Sequence, residues 1–172
     1  MTRVESFPDD EEGVMFPRLV PLAVVVLTLA GLLQWIVPVQ VVSDVAFIED
    51  IDPDRLMAFG ALMTLGGFAL SLAGYQALRR RGADVDPAQP VRVLVTDGVF
   101  QWTRNPIYLG MWIALGGVAL AFAIDWLLIL IVPASVIVNF AAVRPEEAYL
   151  AQKFGRLYRD YMRRVPRYFF MR

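Results

Sequence analysis

Four long apolar runs, separated by shorter polar stretches, divide the chain. They cover Phe16 to Val37, Leu56 to Leu78, Ile107 to Ile124 and Trp126 to Val143. A transmembrane helix needs about 20 apolar residues to cross about 30 Å of hydrocarbon, and each run is near that length. Helices satisfy their own backbone hydrogen bonds in lipid. The pattern predicts an all-α integral membrane protein with about four transmembrane helices, the last two forming a C-terminal helical hairpin joined at Asp125.

The chain after position 144 places apolar residues at helical spacing among basic ones. The apolar positions are Leu150, Phe154, Leu157 and Tyr161. A cationic helix of this kind typically lies in the plane of the membrane interface, with its apolar face toward the acyl chains. The pattern predicts one amphipathic interfacial helix after the fourth run.

Basic residues collect on one side of the predicted membrane. The loop 79–106 holds five arginines and the tail from 144 holds eight basic residues, whereas the segment 40–55 holds one arginine and five acids. Loops rich in lysine and arginine stay in the cytoplasm. Combined with four spans, this distribution predicts that both termini and the interfacial helix are cytoplasmic.

The composition narrows the chemistry that the chain can perform. The protein is 58% hydrophobic, has a net charge of -1, and contains neither cysteine nor histidine. Disulfides and cysteine nucleophiles are therefore excluded, and no metal site is expected because carboxylates alone suit transition metals poorly. Any acid–base step must use Asp, Glu, Tyr, Lys or Arg. The small net charge gives no indication of nucleic acid binding.

The second apolar run is rich in small residues, among them Gly60, Gly66, Gly67 and Gly74. Small residues allow two helices to approach closely in lipid, where apolar burial does not drive association. We therefore expect this helix to pack tightly against another helix. A ligand packed against it is the alternative interpretation.

The segment TRNPIYLG, residues 103–110, stands where a polar loop meets the third apolar run. Asn105 is a favoured N-cap, Pro106 a favoured first helical residue and Tyr108 an interfacial aromatic residue. The start of a membrane helix alone explains the segment. The alternative is a pocket, because the segment RPEEAYL brings Glu146 and Glu147 to the same predicted interface. Charged residues in such places are hypotheses for functional sites.

The second half of the chain carries an ordered set of short motifs. A Gly–x–Phe and Arg–Asn–Pro–x–Tyr–x–Gly segment precedes the hairpin, and a Glu–Glu pair and Phe–Gly–x–x–Tyr–x–x–Tyr follow it. Over roughly residues 90–168 this order resembles the superfamily of isoprenylcysteine carboxyl methyltransferases and phospholipid N-methyltransferases, whose eukaryotic members carry histidine in place of Asn105. We accordingly divide the chain into 1–89, a tail with two spans, and 90–172, a methyltransferase-like core. The motif residues are Gly98, Phe100, Arg104, Asn105, Pro106, Tyr108, Gly110, Glu146, Glu147, Phe154, Gly155, Tyr158 and Tyr161.

The resemblance implies a membrane methyltransferase that uses S-adenosylmethionine at the cytoplasmic face and takes a lipophilic acceptor from among the membrane lipids. Two residues are the expected catalytic residues: Arg104 would orient a carboxylate acceptor, whereas Glu146 would receive the proton of an amine acceptor. The residues that the resemblance implies for cofactor binding are Asn105, Pro106, Tyr108, Gly110, Glu147 and Tyr149.

Two other functions are consistent with the same motifs. Membrane sterol reductases have a similar C-terminal half and bind NADPH there, although they are normally longer and have more spans. A non-catalytic membrane scaffold of the same fold would bind neither cofactor. Ligand preference separates the three possibilities.

Overall fold

The computed structural model describes residues 16–40, 52–81 and 93–169. The predicted N-terminal tail, most of the acidic segment 40–54 and residues 82–92 of the arginine-rich loop lie outside the described residues. A 3-10 turn, Gly98–Gln101, precedes α3, and a π-helical segment, Asn139–Val143, joins α4 to α5. The α-helices are α1 (Phe16–Ile36), α2 (Pro53–Arg80), α3 (Pro106–Ala121), α4 (Asp125–Val138), α5 (Arg144–Phe154) and α6 (Arg156–Arg164).

The all-α prediction is confirmed for the described ranges, which contain no β-strand. Two continuous helices are long and apolar enough to cross a membrane, Pro53–Arg80 and Asp125–Phe154. The apolar helices Pro21–Ile36 and Pro106–Ala121 are shorter. Two helices are thus long and apolar enough to span a membrane, and the count of four spans stays a prediction.

Large apolar side chains cover the outer surfaces of α2 and α4. On α2, Phe59, Leu62 and Phe68 are more than half exposed, and on α4 the same is true of Val132 and Ile137. Exposed apolar area on this scale marks a surface that contacts something other than water. Lipid tails are the partner that fits helices of this length and composition.

The helices α2 and α3 pack closely and antiparallel through small residues. Gly60 lies against Gly117, and Gly67 lies against Gly110, so the residue numbers rise along one helix while they fall along the other. A Cβ atom added to Gly67 would lie 2.5 Å from the backbone nitrogen of Ala114. Only glycine fits at this distance, because any side chain would force the two backbones apart.

Hydroxyl groups reinforce the contact between α2 and α3. The Ser71 hydroxyl donates a hydrogen bond of 2.9 Å to the carbonyl of Ile107 on the other helix, and the Thr64 hydroxyl donates a longer one of 3.4 Å to the carbonyl of Ala114. Interhelical bonds of this kind stabilise helix pairs in lipid. The predicted helix packing is confirmed for three of the four glycines, whereas Gly66 faces open space.

The predicted hairpin is confirmed, since α3 ends at Ala121 and α4 begins at Asp125. At this end of the molecule α4 packs against α1. The indole nitrogen of Trp126 donates a 2.7 Å hydrogen bond to the carbonyl of Val37, and its backbone N–H donates to the side-chain oxygen of Gln34. These bonds fix the first described helix against the hairpin.

The prediction of one tail helix is wrong, because the chain breaks at Gly155. Its φ of +56° is a conformation that residues with a Cβ rarely adopt. Beyond the break, α6 turns Tyr158 and Tyr161 inward against α5, and Leu157 is 71% exposed. The prediction puts Leu157 and Tyr161 on one apolar face toward the membrane, whereas in the structure Tyr161 is buried and Leu157 is exposed. The buried face of α6 therefore packs on protein.

Gly67→Ala should lower the free energy of unfolding by about 1–3 kcal/mol, because the added methyl group overlaps the backbone of α3. Thermal unfolding of the purified protein in detergent measures the change. The matched control is Gly66→Ala, which adds the same methyl group where no atom lies within 4 Å. Equal losses in the two variants would contradict the close helix contact.

Candidate functional site

A groove opens at the end of the molecule where α2 finishes and α3 begins. The apolar part of its lining comes from the end of α2, the segment 93–95, the start of α3 and α5, with Leu78, Ile107 and Leu150 among its members. The empty space between these walls, including the part open to solvent, is about 680 Å³. The polar residues of the lining are Arg104, Asn105, Tyr108, Glu146, Tyr158 and Tyr161.

Asn105 occupies the N-cap position of α3, as predicted, but its side chain makes no capping hydrogen bond. The residue is buried, and its side-chain nitrogen has no hydrogen-bond partner among the residues that the structure describes. The backbone N–H of Asn105, by contrast, donates a hydrogen bond to the hydroxyl of Thr103. A buried amide that lacks a partner costs free energy. Since Asn105 lines the groove, a ligand there is the natural partner for this nitrogen.

The position of α3 in the groove depends on Gly74 of α2. A Cβ atom there would lie 2.9 Å from Cγ1 of Ile107 and 3.0 Å from Cγ of Pro106. The absent side chain lets the first turn of α3 pack directly against α2. Pro106 therefore contributes to the wall of the groove through its ring.

Tyr108 and Glu146 face each other across the groove from α3 and α5. The Tyr108 hydroxyl donates a long hydrogen bond of 3.5 Å to Oε2 of Glu146. Within the described ranges no arginine or lysine nitrogen lies within salt-bridge distance of Glu146. Among the described residues, Glu146 is thus a carboxylate of the groove without a cationic partner.

The neighbouring Glu147 has the opposite surroundings. Arg104 donates to its Oε1 from Nε at 3.0 Å and from Nη2 at 2.9 Å. From the other side Arg167 donates to Oε2 from Nη2 at 2.5 Å and from Nε at 3.1 Å. The Glu147 side chain is only 9% exposed, so the carboxylate is buried between two guanidinium groups. The hydrogen bonds to Glu147 also raise the pKa of Arg167.

Arg104 has little donor capacity left for a ligand. Its Nη1 donates to two backbone carbonyls, that of Val165 at 2.7 Å and that of Met162 at 3.0 Å. With both bonds to Glu147, all three guanidinium nitrogens have protein partners. The Arg104 side chain is 5% exposed. Its geometry is that of a residue that fastens the tail to the start of α3.

Three more hydrogen bonds close the tail over the groove. The backbone N–H of Arg104 donates to the carbonyl of Pro166, and the Thr103 hydroxyl donates to the carbonyl of Arg167 at 2.7 Å. The Tyr161 hydroxyl donates to the carbonyl of Phe100 at 2.7 Å. The residues after α6 are therefore part of the groove's framework.

Two tyrosines of α6 form an aromatic wall. The rings of Tyr158 and Tyr161 lie 5.9 Å apart and are tilted by 57°. Burial is the main reason that the pKa of each phenol lies above its ordinary value. Both remain protonated at neutral pH, so they serve as hydrogen-bond donors and as apolar surface.

The structure brings five of the eight predicted site residues into the lining of the groove and leaves the other three outside it. Gly110 does not line the groove, because it packs directly against Gly67 and Ser71 of α2. Tyr149 is also outside the lining, and its hydroxyl accepts a hydrogen bond from Lys153. Glu147 lies beside the groove with its oxygens occupied. The predicted residues that line the groove are Arg104, Asn105, Pro106, Tyr108 and Glu146.

Sequence reasoning missed Arg167. It lies in the tail segment RRVPR, which matched the superfamily pattern, but no spacing rule connects it to an acid 20 positions earlier. The available signal was chemical. A buried Glu147 that is paired with one arginine retains unused acceptor capacity, which a second nearby cation would fill.

A bundle of apolar helices thus carries a groove with polar residues gathered at one end, and two of its helices are long and apolar enough to span a membrane. A sequence model of the family described as phospholipid methyltransferase matches residues 56–157. The match covers more than half of the chain, and the chain therefore belongs to this family. The resemblance inferred from the motifs is confirmed, and the match extends into α2. No curated protein and no solved structure matches the chain.

Glu147→Gln should destabilise the folded protein by about 3 kcal/mol, because it leaves the buried guanidinium of Arg104 and the partly buried one of Arg167 without a countercharge. Thermal unfolding in the absence of ligands measures the loss. The control is Asp160→Asn, which removes an acid of α6 paired at 3.6 Å with exposed arginines and should change stability by about 1 kcal/mol or less. Similar midpoints for the two variants would show that the buried network is energetically unimportant.

Proposed function

We propose that this membrane methyltransferase transfers the methyl group of S-adenosylmethionine to the amine nitrogen of a lipid. The observation that carries the proposal is the difference between two charged residues of the groove. Glu146 has no cationic partner within the described ranges, whereas four of the five N–H donors of Arg104 bond to protein acceptors. An amine acceptor finds a carboxylate among the described residues of this groove, whereas a carboxylate acceptor finds there an arginine that is already paired with Glu147.

The residues of the groove fit S-adenosylmethionine. When bound, this cofactor supplies an electrophilic methyl group on a sulfonium sulfur. The unpartnered nitrogen of Asn105 suits a carboxylate or a ring nitrogen of such a ligand. Aromatic faces attract a cation by their negative quadrupole, and Phe100, Tyr158 and Tyr161 line the same groove. Pro106 and Tyr108 contribute the wall from α3.

The remaining predicted cofactor residues act indirectly in this proposal. Glu147 holds Arg104 and Arg167, and Gly110 permits the close contact of α2 with α3 that positions Tyr108. Tyr149 lies outside the lining and has no direct part. Arg104 becomes a positioning residue rather than one that contacts the acceptor.

Glu146 carries the acid–base role. A lipid ammonium group must lose a proton before its nitrogen has a lone pair with which to attack a methyl carbon. The carboxylate of Glu146 accepts that proton, and the hydrogen bond from Tyr108 restricts its orientation. Apolar residues around the pair, such as Leu78 and Leu150, exclude water and hold the reactants close together.

The proposed location of the reaction is the cytoplasmic membrane face. The groove lies at the end of α2 that carries Arg79, Arg80 and Arg81, and at the start of α3 beside Arg104. Lysine and arginine favour the cytoplasmic side of a membrane protein. An acceptor with acyl chains would reach this depth from the adjacent lipid layer.

S-adenosylhomocysteine at 100 times its Kd should stabilise the protein by about 2.7 kcal/mol, whereas NADPH should give no stabilisation. Asn105→Ala should weaken S-adenosylhomocysteine binding about tenfold, the equivalent of about 1.4 kcal/mol, because one hydrogen bond is lost. The ligand-free midpoint should not fall, since the variant removes a buried group that lacks a partner. A fall in that midpoint with unchanged affinity would contradict the cofactor role of Asn105.

Glu146→Gln should reduce methyl transfer to a lipid amine about 100-fold or more, because the proton acceptor is lost. The assay compares labelled methyl transfer from S-adenosylmethionine to phosphatidylethanolamine and to a farnesylcysteine carboxylate. Binding of S-adenosylhomocysteine to the variant is the control for an intact groove. Transfer to the carboxylate in preference to the amine would reject the proposed acceptor.

A further inference from the structure

Two adjacent glutamates on α5 have opposite electrostatic surroundings. Glu147 receives hydrogen bonds from both Arg104 and Arg167, and Glu146 receives one long bond from the neutral Tyr108. The two carboxylates are one residue apart, so each guanidinium that binds Glu147 also acts on Glu146 through space. The charges around Glu147 are therefore part of the environment in which Glu146 works.

We propose that Arg167 is a positioning residue that, together with Arg104, keeps positive charge bound to Glu147 and so sets the ionisation of Glu146. The inference rests on the proposed function, in which Glu146 accepts a proton. Arg167 does not line the groove and has no described contact with the space where a substrate would bind. It acts through Glu147.

Both guanidinium groups are held away from Glu146 by the backbone and by neighbouring side chains. The carbonyl of Arg167 accepts the Thr103 hydroxyl bond, and its Nη1 reaches Oδ1 of Asn139 at 3.5 Å. The bonds from Arg104 to the carbonyls of Met162 and Val165 fix the other guanidinium. Neither arginine can pair with Glu146 unless several of these bonds break.

The other groups around Glu146 carry no charge at neutral pH. Tyr108 faces it from α3, Tyr158 from α6 and Tyr168 from the tail. Burial is the main cause that raises the pKa of Tyr158 and of Tyr168, so both phenols stay protonated. Glu147 is a charged group that acts on Glu146, and the two arginines paired with Glu147 bring the net charge of this cluster to one positive.

Substitutions at Arg167 and Glu147 change the net charge beside Glu146 in opposite directions. Arg167→Gln lowers the local net charge to zero, which disfavours the ionised form of Glu146. Glu147→Gln raises the net charge to two positive, which favours the ionised form. The double variant Glu147→Gln with Arg167→Gln restores the wild-type net charge with different contacts. Each single change should move the protonation midpoint of Glu146 by about one pH unit.

Infrared titration of the ligand-free protein in lipid nanodiscs measures this midpoint directly. The carbonyl stretch of the protonated Glu146 carboxyl is assigned by its loss in Glu146→Gln. We expect the midpoint to rise in Arg167→Gln, to fall in Glu147→Gln and to lie near the wild-type value in the double variant. The acidic limb of the pH–rate profile should move in the same directions, because Glu146 must be ionised to accept a proton.

Midpoints that coincide in all folded variants would overturn the inference, and so would a double variant that shifts as far as either single one. If Glu147→Gln does not fold, the double variant and Arg167→Gln decide the question, since the double variant leaves one arginine fewer without a countercharge. The titration does not depend on catalysis. A protein that fails to bind S-adenosylhomocysteine rejects the proposed function, whereas unmoved midpoints reject the role of Arg167 alone.

Discussion

The buried pairing of Glu147 with Arg104 and Arg167 is the interaction on which the groove depends. It connects three parts of the chain that are distant in sequence: the start of α3, the first turn of α5 and the tail after α6. Burying the charges of Glu147 and Arg104 is costly, and the further acceptors that each guanidinium has offset part of this cost. This network holds the tail over the groove together with the hydrogen bonds from Thr103 and from the Arg104 backbone.

The second constraint is the contact between α2 and α3, which brings the groove's two long walls together. Glycines on both helices allow their backbones to touch, and the Ser71 hydroxyl bonds to Ile107 at the edge of the groove. Tyr108 follows Ile107 directly in α3. The packing of α2 against α3 therefore determines where the Tyr108 hydroxyl meets Glu146. A rigid helix pair is a more accurate support for reacting groups than a loop.

Apolar run lengths and small-residue spacing predicted the helical class and the packing of α2, because both depend on patterns along one helix. The distinction between Glu146 and Glu147 was not predictable, since it depends on which side of α5 faces Arg104 and Arg167. The break at Gly155 was missed because glycine is also tolerated inside a helix. These two features depend on partners distant in sequence and on backbone conformation. The local spacing of apolar residues predicts neither of them.

We propose above all that the groove beside Asn105 holds S-adenosylmethionine, with Glu146 facing the acceptor. An experimental structure of the protein in lipid with S-adenosylhomocysteine bound tests it most directly. The claim predicts density for the ligand against Asn105 and Tyr158, an intact pairing of Arg104 with Glu147, and open space between the sulfur and Glu146. A ligand outside this groove, or one bound directly by Arg104 in place of Glu147, would contradict it.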